Sequence, residues 1–431
     1  MRFPEEFLHF VWQFRLYDVL QLQTVDGKPL KILNCGFPNK HAGPDFTTAK
    51  VIIDETTWVG QVEVHLKSSD WNAHQHQTDS AYENVILHVV WEHDTEILTK
   101  DGTVLPTLVL NGKIKEYLFE NYQNLFQSAA SFPCENQLKD IDGFVINSFL
   151  SRILVERLEQ KSEEVFERLE QLNGNWDESF YHFMAKNFGF KVNSLPMQVL
   201  AQSLPQTLFA KHKDQPLQIE ALIFGQAGFL NQSFDDHYPN QLKTEYAFLQ
   251  KKYGLAAVDI SLWKFLRMRP QNFPTLRLAQ FAALIVKSSH LFSKVLEVKN
   301  VKELHLLFDE LPVNPFWETH YPFNKEAEKV NTTLGRSSID NILINTVSLF
   351  LFAYGKYTGQ ANFQTRAFYL LESIAAEKNN IISQYLDAGA VVENAYQTQA
   401  FLQLRKSYCN EKRCLNCGIG LKILKKVDLK P

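Results

Sequence analysis

The apolar positions of the first 130 residues change period several times. Phe7, Val11 and Phe14 recur at helical spacing, with Leu8 and Trp12 beside them, and predict an amphipathic helix over residues 3–16. Pro4, Glu5 and Glu6 occupy its first turn, where a fixed φ and negative charge favour a helix start. Strand patterns follow. Leu30–Asn34 is a short apolar run behind the Asp26-Gly27 turn, and Ala49–Ile53 is a second, closed by a turn at Asp54–Thr57. Trp58–Leu66 alternates: Val62, Val64 and Leu66 point one way, and Gln61, Glu63, His65 and Lys67 the other. Asp79–Asn84 suits a short helix, and Val85–Trp91 is almost continuously apolar, as a central strand is. A hairpin around Asp101-Gly102 would return along Thr103–Leu110. The order helix, three strands, helix, strand predicts an α/β domain over residues 1–130, with a mixed central sheet flanked by helices.

From Phe144 to Leu172 the period becomes helical, carried by Leu150, Leu154, Leu158, Val165 and Leu169. Helical periods continue to residue 405, interrupted at Pro196, Pro205, Pro216, Pro270, Pro274, Pro312 and Pro315, with no repeat of fixed length. A large all-α domain over residues 140–431 is expected, with the chain boundary near Ser131–Asp142.

Composition sets limits on function. The 431 residues are 45% hydrophobic and 21% charged, with 18 Gly and 16 Pro, which excludes the disordered and low-complexity classes. A net charge of −4 carries no overall nucleic-acid footprint. Residues 1–100 hold 8 Lys/Arg against 14 Asp/Glu, whereas Arg405–Pro431 holds 8 basic and 2 acidic residues. Phosphate contacts would therefore lie outside the N-terminal part. The start MRFPEEFLHFVW lacks the basic and apolar regions of a signal peptide. The apolar stretch near Ile342–Tyr354 carries Asn345, Thr346 and Ser348 and reads as too short and too polar to span a bilayer. Five Cys, three of them near the C-terminus, do not form a disulfide framework. A cytoplasmic protein without membrane association is expected.

Chemistry concentrates first at Gly43-Pro44-Asp45-Phe46 and Gly60–Lys67. If the two strands pair, Asp45 and Glu63 converge at one end of the sheet. Hard cations such as Mg²⁺ or Mn²⁺ need such oxygen ligands, and a metal held there activates water and neutralises a transferring phosphoryl group. His65 or Lys67, on the face of Glu63, would orient the nucleophile or stabilise developing charge.

At these residues the chain resembles the PD-(D/E)xK nuclease superfamily. Pro44-Asp45 supplies the PD, and Glu63-Val64-His65 stands where (D/E)-x-K is expected, with 17 residues between Asp45 and Glu63. The resemblance implies a restriction-endonuclease-like fold for the first domain and metal-dependent cleavage of DNA or RNA. It maps the metal ligands onto Asp45 and Glu63, with Glu5 or Glu6 as a further acid. The departure is His65 in the lysine position, with Lys67 as the substitute. Failing that, the domain would bind nucleic acid or a partner without cutting.

A second constellation comprises Ser68-Ser69-Asp70-Trp71, His74, His76, Asp79, Tyr82 and His88; seven of the 13 His fall in residues 1–93. His74-x-His76 with Asp70 or Asp79 would hold a transition metal or contact a scissile phosphate, which opens a third reading, a His/Asp metal hydrolase of small molecules. His88, on the apolar strand, would point toward Glu63.

The run GPDF…GQVEVHLKSSDW…HQHQTD…YENVILHVVW also resembles an uncharacterised bacterial family of the Bacteroidetes type. Leu334–Gly355 and the tail YCNEKRCLNCGIG extend that resemblance over nearly the full length. It implies no activity.

The third constellation, Cys409-x4-Cys414-x2-Cys417, is a metal-knuckle pattern: thiolates suit tetrahedral Zn²⁺, with an iron–sulfur site as the alternative. Cys134, which opens the helical part, is the candidate fourth ligand, and the expected role is structural. The fourth spans residues 243–277, where Lys251, Lys252, Arg267, Arg269 and Arg277 interleave with Tyr246, Tyr253, Trp263, Phe265 and Phe273. Basic side chains over aromatic platforms suit nucleic acid, against the plainer reading of a solvated face over core aromatics. Nucleotide-cradling and serine-hydrolase motifs are absent, and Gly335-Arg336-Ser337-Ser338 reads as a helix start.

Overall fold

The computed structural model describes residues 3–39, 41–266 and 268–426. The chain divides into two compact units. One comprises Met1–Phe149, Ser383–Val391 and Leu404–Pro431; the other comprises Leu150–Ile382 and Val392–Gln403.

The first unit is built on a mixed sheet. Helix α1 (Glu5–Gln13) precedes β1 (Leu30–Asn34), β2 (Phe37–Pro38), β3 (Phe46–Ile53) and β4 (Thr56–Lys67). The one-turn helix α2 (Asp70–Ala73) and two 3-10 turns lead to β5 (Val85–Glu92), and β6 (Thr107–Val109) and α3 (Glu116–Phe126) follow. The strand order is β1-β3-β4-β5-β6, with β2 paired to β3. The β1–β3 and β3–β4 pairs are antiparallel, and the β4–β5 and β5–β6 pairs are parallel.

Alternation along the central strands sorts the two faces. Phe3 and Phe119 meet Trp91 edge to face at 5.1 and 5.6 Å, and Phe7 packs on Phe119 and Tyr122, so α1 and α3 cover one face. On the other face Trp71 packs near His88, in a small core with Val85, Ile97 and Leu105. Glu63 and His88 are register partners, so both side chains project to this second face. The Asp101-Gly102 hairpin reduces to a single bridge, Leu98 to Val104. Thr107–Val109 instead runs parallel beside β5, because Pro106 and the preceding turn turn the chain back along the sheet edge. The short helix expected at Asp79–Asn84 is a 3-10 turn, Ser80–Tyr82, capped by the Asp79 carboxylate.

The tail was expected in the helical domain but belongs to the sheet unit. Asn121 of α3 donates to the carbonyls of Ile423 and Leu424, and Lys425 lies over the Phe14 ring.

The second unit is helical. Helices Trp176–Phe188, Pro216–Gln226 and Pro274–Lys287 are buried along most of their length, and Phe180, Phe292 and Phe350 pack ring against ring. Residues Arg336–Thr358 form one 23-residue helix, long and apolar enough to cross a membrane, yet 72% of its most apolar window is buried. A π-helical turn at Leu343–Val347 interrupts it.

Glu220 is a buried acid of this core, beside Tyr238 and Asn314. Burial pushes its carboxyl up to about 7 from an ordinary 4.5, against the lowering influence of those two polar neighbours. Between these values the folded chain holds a proton that the unfolded chain has released, so stability is lost as pH rises through the window. Glu220→Gln removes that dependence. It is expected to raise stability by roughly 2–3 kcal/mol at pH 8 and very little near pH 4.5. Calorimetric melting at the two pH values checks this, and an equal shift at both would contradict it.

Candidate functional site

The site starts from the turn before β3. Gly43 takes φ +104°, a conformation that L side chains rarely adopt, and delivers Asp45 to the start of the strand. Register shifts lie on either side of the site, between Phe46 and Ala49 of β3 and between Gln61 and Val62 of β4. Such bulges re-aim side chains.

The two acids do converge. The Asp45 N–H donates to Glu63 Oε2 at 3.1 Å, and the Val64 N–H donates to Asp45 Oδ2 at 3.0 Å. Glu63 is only 4% exposed. Its Oε1 lies 3.4 Å from His65 Nε2 and 3.3 Å from His76 Nε2. His74 Nδ1 is 3.2 Å from His65 Nε2, and His65 Nδ1 is 2.9 Å from His88 Nε2. Ligand atoms of His65, His74 and His76 all lie within 4.8 Å of one another. The His76 ring stacks on Tyr82 at 3.8 Å and meets Trp71 edge-on, which fixes its plane.

Burial disfavours charge on Glu63, His65, His76 and His88. Burial, reinforced by Asp45, pushes the Glu63 carboxyl up to about 9. Burial, with His76 and His74 close by, pulls His65 down to about 4. His88 is held well below its usual range by burial and by His65, and His76 is lowered by burial and His74. Imidazoles converging on a buried carboxyl make a donor set of the kind that suits a cation.

His65 therefore does not supply the fixed positive charge of a lysine. Lys67 is exposed at the end of β4, and its backbone N–H is taken by Asp70 Oδ2 at 2.9 Å. Asp70 thus serves the β4–α2 turn. Another imidazole faces the acids: His9 of α1 lies 3.3 Å from Asp45 Oδ2 and 3.8 Å from Glu5. Burial works to lower His9, but the Asp45 carboxylate beside it, helped by Glu5, outweighs it and the pKa is raised. Sequence reasoning missed His9. Its only signal was a Glu5–His9 pair at helical spacing in an otherwise buried helix.

The cysteines lie in another part of the same unit. Phe132 packs on Tyr385 at 4.5 Å, and the Tyr385 hydroxyl contacts Cys409 Sγ at 3.3 Å, which brings the Cys134 segment to the knuckle. The Cys417 N–H closes a tight turn on the Cys414 carbonyl at 3.2 Å, and a Cβ at Gly420 would meet that same carbonyl oxygen at 2.2 Å. Burial raises the thiols of Cys134, Cys409, Cys414 and Cys417. The charges of the other three thiols add to the raising of Cys134.

The basic segment is not one surface. Lys251, Lys252 and Arg269 are exposed, and Lys252 lies over the Phe248 and Tyr253 rings. Arg267 lies outside the described residues. Arg277 is only 6% exposed, and Tyr246 and Trp263 are core residues whose polar atoms bond to Gln226 and to the Ala227 carbonyl. Arg277 thus cannot contact a nucleic-acid backbone from the surface.

Comparison with curated proteins found no match, and comparison with solved structures found none. One family, described as "Protein of unknown function (DUF2851)", matches residues 5–380. The match spans most of the chain, which therefore belongs to the DUF2851 family.

Proposed function

We propose that the sheet unit is a metal-dependent phosphodiesterase acting on DNA or RNA, with a restriction-endonuclease-like fold. The carrying observation is the meeting of Glu63 Oε1 with the Nε2 atoms of His65 and His76, beside an Asp45 that is hydrogen-bonded into the same strand pair. Three features support the fold: the element order, the mixed sheet, and the PD and E-x-H segments on adjacent antiparallel strands.

Asp45, Glu63, His65, His74 and His76 would hold the ion. Their imidazoles favour Mn²⁺ over Mg²⁺, because Mg²⁺ prefers oxygen ligands and water. The bound ion would lower the pKa of water and neutralise charge on a phosphoryl group. His88 orients His65 through their ring nitrogens, and His9 sets an imidazole beside Asp45 that could take over the charge role of the lysine that His65 replaces. Lys67, exposed at the strand end, suits a substrate phosphate. Lys251, Lys252 and Arg269 are the remaining surface candidates for nucleic acid. Cys134, Cys409, Cys414 and Cys417 would form a structural Zn²⁺ or iron–sulfur site.

A second reading keeps the metal and changes the substrate, since a histidine-rich donor set also suits hydrolysis of small molecules. Single- and double-stranded DNA and RNA, and bis(4-nitrophenyl) phosphate, separate the readings when each is incubated with Mn²⁺, Mg²⁺ or chelator. Chelator-sensitive cutting of a nucleic acid is the expected result. Turnover of the small diester alone would favour the second reading. Salt-dependent nucleic-acid binding without turnover of any substrate would overturn the enzyme reading.

A further inference from the structure

The helical unit holds a buried cation with no counter-charge. Arg277 sits in helix Pro274–Lys287 with its guanidinium over the Phe190 ring at 4.3 Å. Its hydrogen-bond partners are all neutral: Gln280 Oε1 at 3.0 Å, Asn272 Oδ1 at 2.6 Å and Ser338 Oγ at 3.2 Å. Its Nε has no partner. Among the described residues no carboxylate offsets it, and burial alone lowers its pKa, to about 10, so it stays charged at neutral pH. Buried charges in folded proteins are paired or bind ligands, because desolvation is otherwise uncompensated.

Arg277 lines a cavity of about 320 Å³. Ser337, Ser338 and Asn341 come from the first turns of the long helix Arg336–Thr358, whose N-cap Gly335 brings no side-chain cap. Positive partial charge and unbonded N–H groups gather at such an end. Met197 and Trp263 make an apolar wall, and Lys191 is exposed at the rim. The volume suits a small molecule.

We propose that this cavity binds the phosphate group of a small phosphorylated molecule, with Arg277 as its counter-ion and Ser337, Ser338 and Asn341 as neutral hydrogen-bonding groups around it. Two segments that the sequence left apart, the basic stretch ending at Arg277 and the Gly335–Ser338 turn, thus become one site. Phosphate is favoured over carboxylate because the polar groups come from several directions, which suits a tetrahedral anion with more oxygens. The site is independent of the metal chemistry proposed for the sheet unit.

The test is calorimetric titration of the full chain with inorganic phosphate at constant ionic strength, with sodium acetate as the carboxylate probe. Wild type, Arg277→Met and Ser338→Ala are compared, each checked for fold by circular dichroism. The expected result is one phosphate per wild-type chain, binding at least tenfold weaker in Arg277→Met, a few-fold loss in Ser338→Ala, and no comparable acetate binding. Should Arg277→Met fail to fold, Ser338→Ala carries the comparison. No wild-type binding up to about 10 mM phosphate, or undiminished binding in the folded variants, would overturn the site. Acetate binding as tightly as phosphate would overturn the phosphate assignment.

Discussion

Glu63→Gln is expected to leave the sheet unit folded and to remove metal-dependent cleavage by about a hundredfold or more, since loss of a direct ligand should exceed the 10–100-fold typical of outer-shell changes. Gln keeps an oxygen able to accept the Asp45 N–H that Glu63 Oε2 now accepts. Without metal, Glu63 is pushed up to about 9 and holds its proton at neutral pH, so a neutral amide resembles the metal-free state. The stability cost should therefore be within about 1 kcal/mol. A folded variant that has lost turnover places Glu63 in the chemistry. An unfolded one would make it structural, and a fully active one would remove it from the site.

Loss of the cysteine centre should be the larger stability effect. If Cys134, Cys409, Cys414 and Cys417 share a metal, Cys134→Ser cuts the only ligand from outside the tail. The expected loss is roughly 3 kcal/mol or more, since apparent metal-binding energy in small thiolate sites exceeds this several-fold. Elemental analysis reads the metal directly: one zinc per chain, or several irons with visible absorbance, falling to near zero in the variant. Metal-free purified protein that melts at the same temperature as Cys134→Ser would contradict a metal centre there.

Much of the site was legible because a strand has period two. The alternation of Val62 and Val64 against Glu63 and His65 put the acid and imidazole on one face, and pairing with the Asp45 strand brought the second acid beside them. Periodicity could not show how His74 and His76 fold back. They follow the single turn of α2, and Gln75 between them takes the left-handed φ of 62°, which no hydrophobic pattern records. His9 was invisible for another reason: it reaches Asp45 through helix packing across 36 residues. The basic stretch misled because composition does not report exposure. Pro274 starts a helix whose next ten residues are all buried, Arg277 among them. Cys134 is the candidate fourth ligand because it opens the helical part, where a chelate would tie the tail to that point.

Mn²⁺ titration of the metal-free wild type, followed by electron paramagnetic resonance and repeated on Glu63→Gln and His76→Ala, tests the central claim most directly. The account predicts one tightly held Mn²⁺ per chain with nitrogen coupling from imidazole, weakened about tenfold or more in each variant. Absence of binding in the millimolar range, or a Mn²⁺ signal unchanged by both substitutions, would contradict a metal centre at Glu63 and its histidines.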